Sequence, residues 1–242
     1  MKVIDLKSTL PNLTVFSYGQ SRTGKTRWAG TWPRPLFLSD VTEGGWETLR
    51  TMPDTALYEP GVRPDVWGIE SFSDMPKCIA DVIKMCEKQP GRVRTLVIDS
   101  ISFYQDLYVV EMERLMPKKN GEIDTRALYG NLFNHLRWLM VEIGKLPLNI
   151  VYLALEKAPD DKGNPGGPLL SGRSAQAAPA RCGYFLYHRI ERVSLDSPPI
   201  FEVRTKPYSR YLAGTRAAET LLDPLPEPTY RGLAGALGLK VT

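Results

Sequence analysis

Residues 19–26 read Gly-Gln-Ser-Arg-Thr-Gly-Lys-Thr, the G-x-x-x-x-G-K-T pattern of a phosphate-binding loop. The pattern constrains the fold because it works only between a strand and a helix. Backbone N–H groups along Gly19, Gln20, Ser21, Arg22, Thr23 and Gly24 wrap a phosphate, and the glycines let the backbone come close. A helix that starts at the end of the loop adds the positive end of its dipole. Lys25 is then placed to reach β- and γ-phosphates, and the Thr26 hydroxyl to hold Mg²⁺. The flanks supply this context: Leu13-Thr14-Val15-Phe16-Ser17-Tyr18 reads as a buried strand, and Arg27-Trp28-Ala29 as the start of a helix. A surface Gly-Lys turn is the bland alternative, and the strand in front argues against it.

A second anchor follows at Asp99. The run Val93-Arg94-Thr95-Leu96-Val97-Ile98 reads as a buried strand that delivers one carboxylate to its C-terminal end, with Ser100 beside it. Paired with the loop at 19–26, Asp99 is expected to bind Mg²⁺ through water, Thr26 and Asp99 forming the metal site. Splitting a triphosphate also needs a group that orients or deprotonates the attacking water. Leu36-Phe37-Leu38 predicts a second strand, and it ends in Ser39-Asp40-Val41-Thr42-Glu43-Gly44-Gly45. Ligands of open α/β sheets bind at that end of the strands. Glu43 is the first choice for the water-activating group, with Lys25 as the catalytic cation. Asp40 is the second choice, and a turn or strand cap is the plain alternative for either acid.

Elsewhere the pattern alternates. Ala56-Leu57-Tyr58 and Val66-Trp67-Gly68-Ile69 look strand-like between proline turns. Met75, Cys78, Ile79, Val82, Ile83 and Cys86 share one helical face, which makes both cysteines core residues. A helix is expected over 103–115, a basic turn over 117–121, a helix face at Leu128, Leu132, Leu136, Leu139 and Ile143, and a third buried strand over 148–155. A polar, Gly/Pro-rich loop covers 156–180. Residues 183–190 and 200–205 then read as an antiparallel hairpin. His135 reads as a satisfied or exposed helix residue, and Tyr208 and Tyr211 as packing groups. The fold class is α/β: a mostly parallel twisted sheet with helices on both faces and a C-terminal antiparallel hairpin. Residues 1–12 form a lead-in, 13–216 the core domain and 217–242 a Pro-rich tail.

The bulk properties permit this. A chain of 242 residues builds one α/β domain, and a formal charge of +4 allows a nucleic-acid partner without requiring one. Three cysteines with no C-x-x-C pair argue against disulfides and zinc and suit a reducing cytoplasm. Met1 to Lys7 carry no long apolar run, so no secretory leader is expected. No run of about 18 apolar residues suggests a membrane span.

The order of parts (the loop at 19–26, a strand with Glu43-Gly44-Gly45, Val97-Ile98-Asp99-Ser100, a strand before a long Gly-rich loop) resembles the RecA-like ATPases of the AAA/ASCE type. More narrowly it is similar to small RecA-like proteins of tailed phages that promote single-strand annealing. The similarity covers residues 13–216. Tyr129-Gly130 and Gly172-Arg173 fit the same pattern. The resemblance implies a RecA-like core, ATP and Mg²⁺ as cofactors, ATP hydrolysis with turnover that is low in some readings, and a role in phage DNA recombination. It implies single-stranded DNA and further copies of the chain (ring or filament) as partners, a single-strand-binding protein as a further candidate, and the host cytoplasm as location.

By position, Lys118, Lys119 and Arg126 fall in the first DNA-binding loop of such proteins. Lys157, Lys162 and Arg173 fall in the second, residues 156–174. Their charges could neutralise phosphates and the glycines allow close approach, while Asp160 and Asp161 oppose this. Arg216, the remnant of a family Ala-Lys-Asp-Arg segment, is the candidate finger toward a neighbour's nucleotide, with Lys206 and Arg210 as rivals. One departure stands out. Family strands before the second loop end in a polar residue that senses the γ-phosphate, and here Ala154-Leu155 is apolar, leaving no obvious polar relay. A helicase-type motor or loader, a low-turnover nucleotide switch and a small-molecule kinase remain as alternatives.

Overall fold

A computed structural model of the chain describes residues 12–116, 123–192, 197–216 and 221–239. The elements run β1 (Thr14–Gly19), α1 (Lys25–Gly30), β2 (Pro35–Asp40), α2 (Glu47–Arg50), β3 (Asp65–Ile69), α3 (Asp74–Lys88), β4 (Thr95–Asp99) and α4 (Ile101–Leu115). They continue with α5 (Thr125–Ile143), β5 (Asn149–Lys157), β6 (Gly167–Pro168), α6 (Ser174–Ala177), β7 (Tyr184–Glu191), β8 (Ile200–Arg204), β9 (Gly214–Thr215) and α7 (Tyr230–Ala236).

The main sheet has the order β3-β2-β4-β5-β1-β7-β8. The first six of these strands are parallel, and β8 pairs antiparallel with β7. The α/β class, the mostly parallel sheet and the late hairpin are therefore as the sequence predicts.

Strand side chains alternate between the two faces, and the two hydrophobic cores follow that alternation. Phe16, Tyr18, Leu36, Leu38, Leu96, Ile98, Ile150 and Tyr152 pack on one face with Met75, Ile79 and Val82 of α3, Tyr104 and Tyr108 of α4 and the leucine stripe of α5. Val15, Phe37, Val97, Val151, Leu153 and Leu186 pack on the other with Trp28 and Ala29 of α1. Central strands buried on both sides need apolar residues at consecutive positions, which is why β2, β4 and β5 read as unbroken apolar runs.

Three local expectations change. Residues 56–58 form no strand. Asp54–Ala56 is a single 3₁₀ turn, and Tyr58 turns its ring edge-on to Tyr230. Pro53 in front and Pro60-Gly61 behind leave too little chain for a sheet ladder. The helix after the phosphate loop starts at Lys25, two residues earlier than Arg27, so the loop runs straight into its first turn. The segment 156–180 is not plain loop, since Glu156 and Lys157 pair with Pro168 and Gly167 before α6 begins. Cys78 and Cys86 pack against the first core as expected.

The described part of the C-terminal segment lies on the second core. Leu221, Leu225 and Leu233 are buried there, and the Tyr230 N–H donates to the Thr31 hydroxyl at 2.9 Å.

Candidate active site

β1 ends at Gly19 beside β5 and β7, paired with Leu155 and His188. The turn that leaves it has no spare room. A methyl on Gly19 would sit 2.3 Å from the His188 carbonyl oxygen. At the end of the loop Gly24 takes φ +82°, a left-handed conformation that side-chain-bearing residues rarely adopt. Within the loop the Thr23 hydroxyl donates to the Gln20 carbonyl at 2.9 Å. Sequence-predicted residues Gly19, Gln20, Ser21, Arg22, Thr23, Gly24, Lys25 and Thr26 thus form one continuous turn from the middle of the sheet into α1.

Lys25 is buried, and its ammonium donates to the carbonyls of Gly19 at 2.9 Å and Gln20 at 2.7 Å. Burial lowers its pKa, and the charges of Asp99, Glu43 and Glu156 push it back up. One position on, the Thr26 hydroxyl donates to Asp99 Oδ2 at 2.8 Å. Asp99 reaches this place because β4 lies two strands from β1 and ends on the same sheet edge. Its carboxylate is buried, which raises its pKa, and the Thr26 hydrogen bond and the Lys25 charge oppose the rise.

Glu43 and Asp40 separate clearly. Asp40 Oδ1 accepts from the Thr42 N–H at 2.6 Å and the Thr42 hydroxyl at 2.5 Å, so it folds its own turn. Glu43 enters the cavity that holds Lys25, Thr26 and Asp99. Burial pushes its carboxyl up to about 7, with the Asp99 and Asp40 charges adding to the rise and Lys25 and the Ser100 hydroxyl countering it. Glu43 Oε2 is buried with no hydrogen-bond partner in the protein. A half-buried carboxyl with a free oxygen and a pKa near neutrality is equipped to accept a proton.

The cavity has a volume of about 860 Å³ and is also lined by Arg22, Arg27, Gly44, Gly45, Leu155 and Phe201. Its oxygens suit a hard cation. A methyl on Gly45 would lie 3.4 Å from Thr26 Oγ1 and 3.7 Å from Asp99 Oδ2, so the glycine keeps the space beside both oxygens open.

Other predicted residues lie apart. Arg216 follows β9, which pairs with the start of β7. Its guanidinium donates to the Ala180 carbonyl at 2.9 Å. That is the N-terminal end of the sheet, about four residues or ~13 Å along β1 from the phosphate loop. It is no part of its own chain's site. Of its two rivals, Arg210 binds the Asp160 and Asn164 carbonyls, and Lys206 donates its backbone N–H to Asp223 at 3.2 Å. Lys118 and Lys119 lie outside the described residues. Arg126 is exposed in the first turn of α5, and Arg173 is exposed just before α6. Lys157, the last residue of β5, and Lys162, on the loop that follows, are exposed at the sheet edge that carries the phosphate loop. Asp160 is spent inside that loop, accepting from the N–H groups of Lys162 at 3.0 Å and Asn164 at 2.9 Å. His135 is satisfied, its Nε2 2.7 Å from the Tyr104 hydroxyl. Tyr211 stacks on Tyr187, and Tyr208 lies under the guanidiniums of Arg189 and Arg204.

Two contacts escaped the sequence reading. The apolar Leu155 does not end the polar path, because the Gln20 amide donates to Glu156 Oε1 at 3.4 Å and so links the phosphate loop to the start of the 156–174 segment. Glu156 is the first polar residue after Leu155 in the sequence, but only the β1–β5 register brings it to Gln20. The other is Phe201, which enters the cavity from β8. Nothing in the local sequence marks it.

A family model described as AAA domain matches residues 11–217. No curated protein matches. Among solved structures, a prototypical ATPase from the type III secretion system of pathogenic bacteria is similar in fold, with a TM-score of 0.52 and 14% identity. The match covers 93% of this chain and 61% of that one, so this chain spans about three-fifths of the larger ATPase. No helix among the described residues is long and apolar enough to cross a membrane.

Proposed function

This chain belongs to the AAA-domain family of P-loop ATPases, and from that premise we propose that it hydrolyses ATP with Mg²⁺ to drive work on single-stranded DNA. One observation carries the catalytic part: the Thr26–Asp99 hydrogen bond at 2.8 Å, with the proton-accepting Glu43 in the same cavity. Thr26 and Asp99 are the groups to hold Mg²⁺, which when bound neutralises phosphate charge. Lys25 meets the β- and γ-phosphates by leaving the two carbonyls it now caps. Glu43 takes a proton from the water that attacks the γ-phosphate, and burial holds its pKa close enough to 7 for both steps of that exchange.

The DNA part rests on placement. Lys157 and Lys162 share the sheet edge with the phosphate loop, and Gln20–Glu156 joins the two segments. Recombination or annealing in a phage is the task we assign, with the chain acting as a homo-oligomer. Arg216, on the sheet end opposite the nucleotide loop, serves a neighbouring subunit's site in that assembly.

The test is equilibrium ATP binding and phosphate release by wild type, Lys25→Ala and Asp99→Asn, with Mg²⁺ present or chelated. Wild type should need Mg²⁺ for release, Lys25→Ala should lose ATP affinity, and Asp99→Asn should lose turnover even with Mg²⁺ present. Unchanged ATP affinity in Lys25→Ala removes the site assignment.

A further inference from the structure

We infer that Phe201 is the platform on which the base of the bound nucleotide stacks. The inference rests on the ATP-site reading above and extends it from the phosphates to the base.

Register places the residue. His188 pairs with Gly19 on one side and with Val203 on the other, and Ile190 pairs with Phe201. Phe201 therefore stands two residues beyond the end of β1, level with the loop that follows Gly19. Alternation fixes its face. Val203 is buried in the core that packs α1, so Phe201, two residues away, projects on the same side. It arrives over the start of α1, where a methyl on Gly24 would lie 3.1 Å from the ring's Cδ1 and 3.6 Å from Cε1.

Exposure is the second observation. Of the seven phenylalanines, Phe201 alone is exposed, at 45%. Among the described residues no aromatic ring packs on it. A ring without a polar atom gains nothing from the phosphates or the cation, yet it lines their cavity.

The third observation is size. About 860 Å³ is in the range that holds a whole nucleotide-sized ligand. Lys25, Thr26, Asp99 and Glu43 gather at one part of the cavity, and Phe201 supplies the apolar wall above Gly24. The ligand part that matches a flat hydrocarbon face is a nucleobase, through stacking that depends on area more than on hydrogen-bond pattern. Phe201 accordingly favours purine over pyrimidine triphosphates and distinguishes ATP from GTP little.

The platform is held firmly. The adjacent Glu202 carboxylate accepts from Arg189 at 3.1 Å and Arg204 at 3.0 Å, and Arg204 also donates to Asp223 at 3.3 Å.

The experiment is equilibrium binding of ATP and of inorganic tripolyphosphate to the full chain as wild type, Phe201→Ala and Phe201→Trp. Because the ring is half exposed, removing it leaves both cores intact, and circular dichroism checks this. Phe201→Ala should weaken ATP about tenfold or more and leave tripolyphosphate unchanged. Phe201→Trp should restore ATP affinity, with indole emission quenched on binding. Equal weakening of both probes overturns the assignment, since the ring would then act by shaping the loop at Gly24. No change in either probe overturns it too and points to a protein contact on β8. A wild-type chain that binds neither probe overturns the ATP-site reading itself, and the assignment falls with it.

Discussion

In the proposed mechanism Glu43 is the base that takes the proton of the attacking water. Its pKa of about 7 is set first by burial and second by Asp99. A base must be ionised to work, so kcat/KM for ATP should fall about tenfold per pH unit below 7 and level off above it. Glu43→Gln should abolish that acid limb and cut phosphate release by about 10²–10⁴-fold while ATP still binds; a pH–rate profile of both proteins checks this. Gly19 tests the close packing under the loop. Gly19→Ala places a methyl on the His188 carbonyl and should cost about 1–3 kcal/mol in urea unfolding. Residue type and spacing made Lys25, Thr26, Asp99 and Glu43 legible, because phosphate and metal chemistry narrow the choice of side chains. They did not decide between Glu43 and Asp40. The structure distinguishes their surroundings: Asp40 Oδ1 is engaged by the Thr42 turn, while Glu43 lines the cavity.

Among the elements, the β7–β8 hairpin carries the least obvious contribution. Its strands were legible as apolar runs, and its partners were not. Glu202 bridges Arg189 and Arg204 with all three side chains largely buried. Removing the shared carboxylate takes away the ligand common to both guanidiniums and leaves Arg204 with Asp223 and Arg189 with Glu191, each at 3.3 Å. Glu202→Ala should therefore destabilise the chain by about 1–3 kcal/mol and weaken ATP binding through Phe201, read by urea unfolding and by nucleotide titration of the folded fraction. β5 makes the same point about legibility. In the linear sequence the apolar Leu155 separates the nucleotide loop from the segment after β5. The polar contact comes from Gln20, 136 residues away, through the parallel pairing of β1 with β5.

At the scale of the molecule, alternating apolar runs and helical faces were enough to give the α/β class, since each strand needs both faces covered. Strand order was not legible. The sequence does not show that β5 lies between β4 and β1, nor that β9 returns to the start of β7 and takes Arg216 to the far end of the sheet. In the proposed assembly, that position means that Arg216 contributes across a subunit boundary. Sedimentation with ATP, Mg²⁺ and single-stranded DNA should show oligomers. Arg216→Ala should lower phosphate release per chain without changing ATP affinity. Gel-shift titration should show single strands held in preference to duplex, with Lys157→Ala/Lys162→Ala weakening binding and its salt dependence together.

The most direct test of the account is phosphate release from Mg·ATP by wild type and Glu43→Gln, with ATP affinity measured on the same samples. Wild type should turn over ATP, and Glu43→Gln should lose at least about 100-fold in release at near-native ATP affinity. Equal release rates in the two proteins would contradict it.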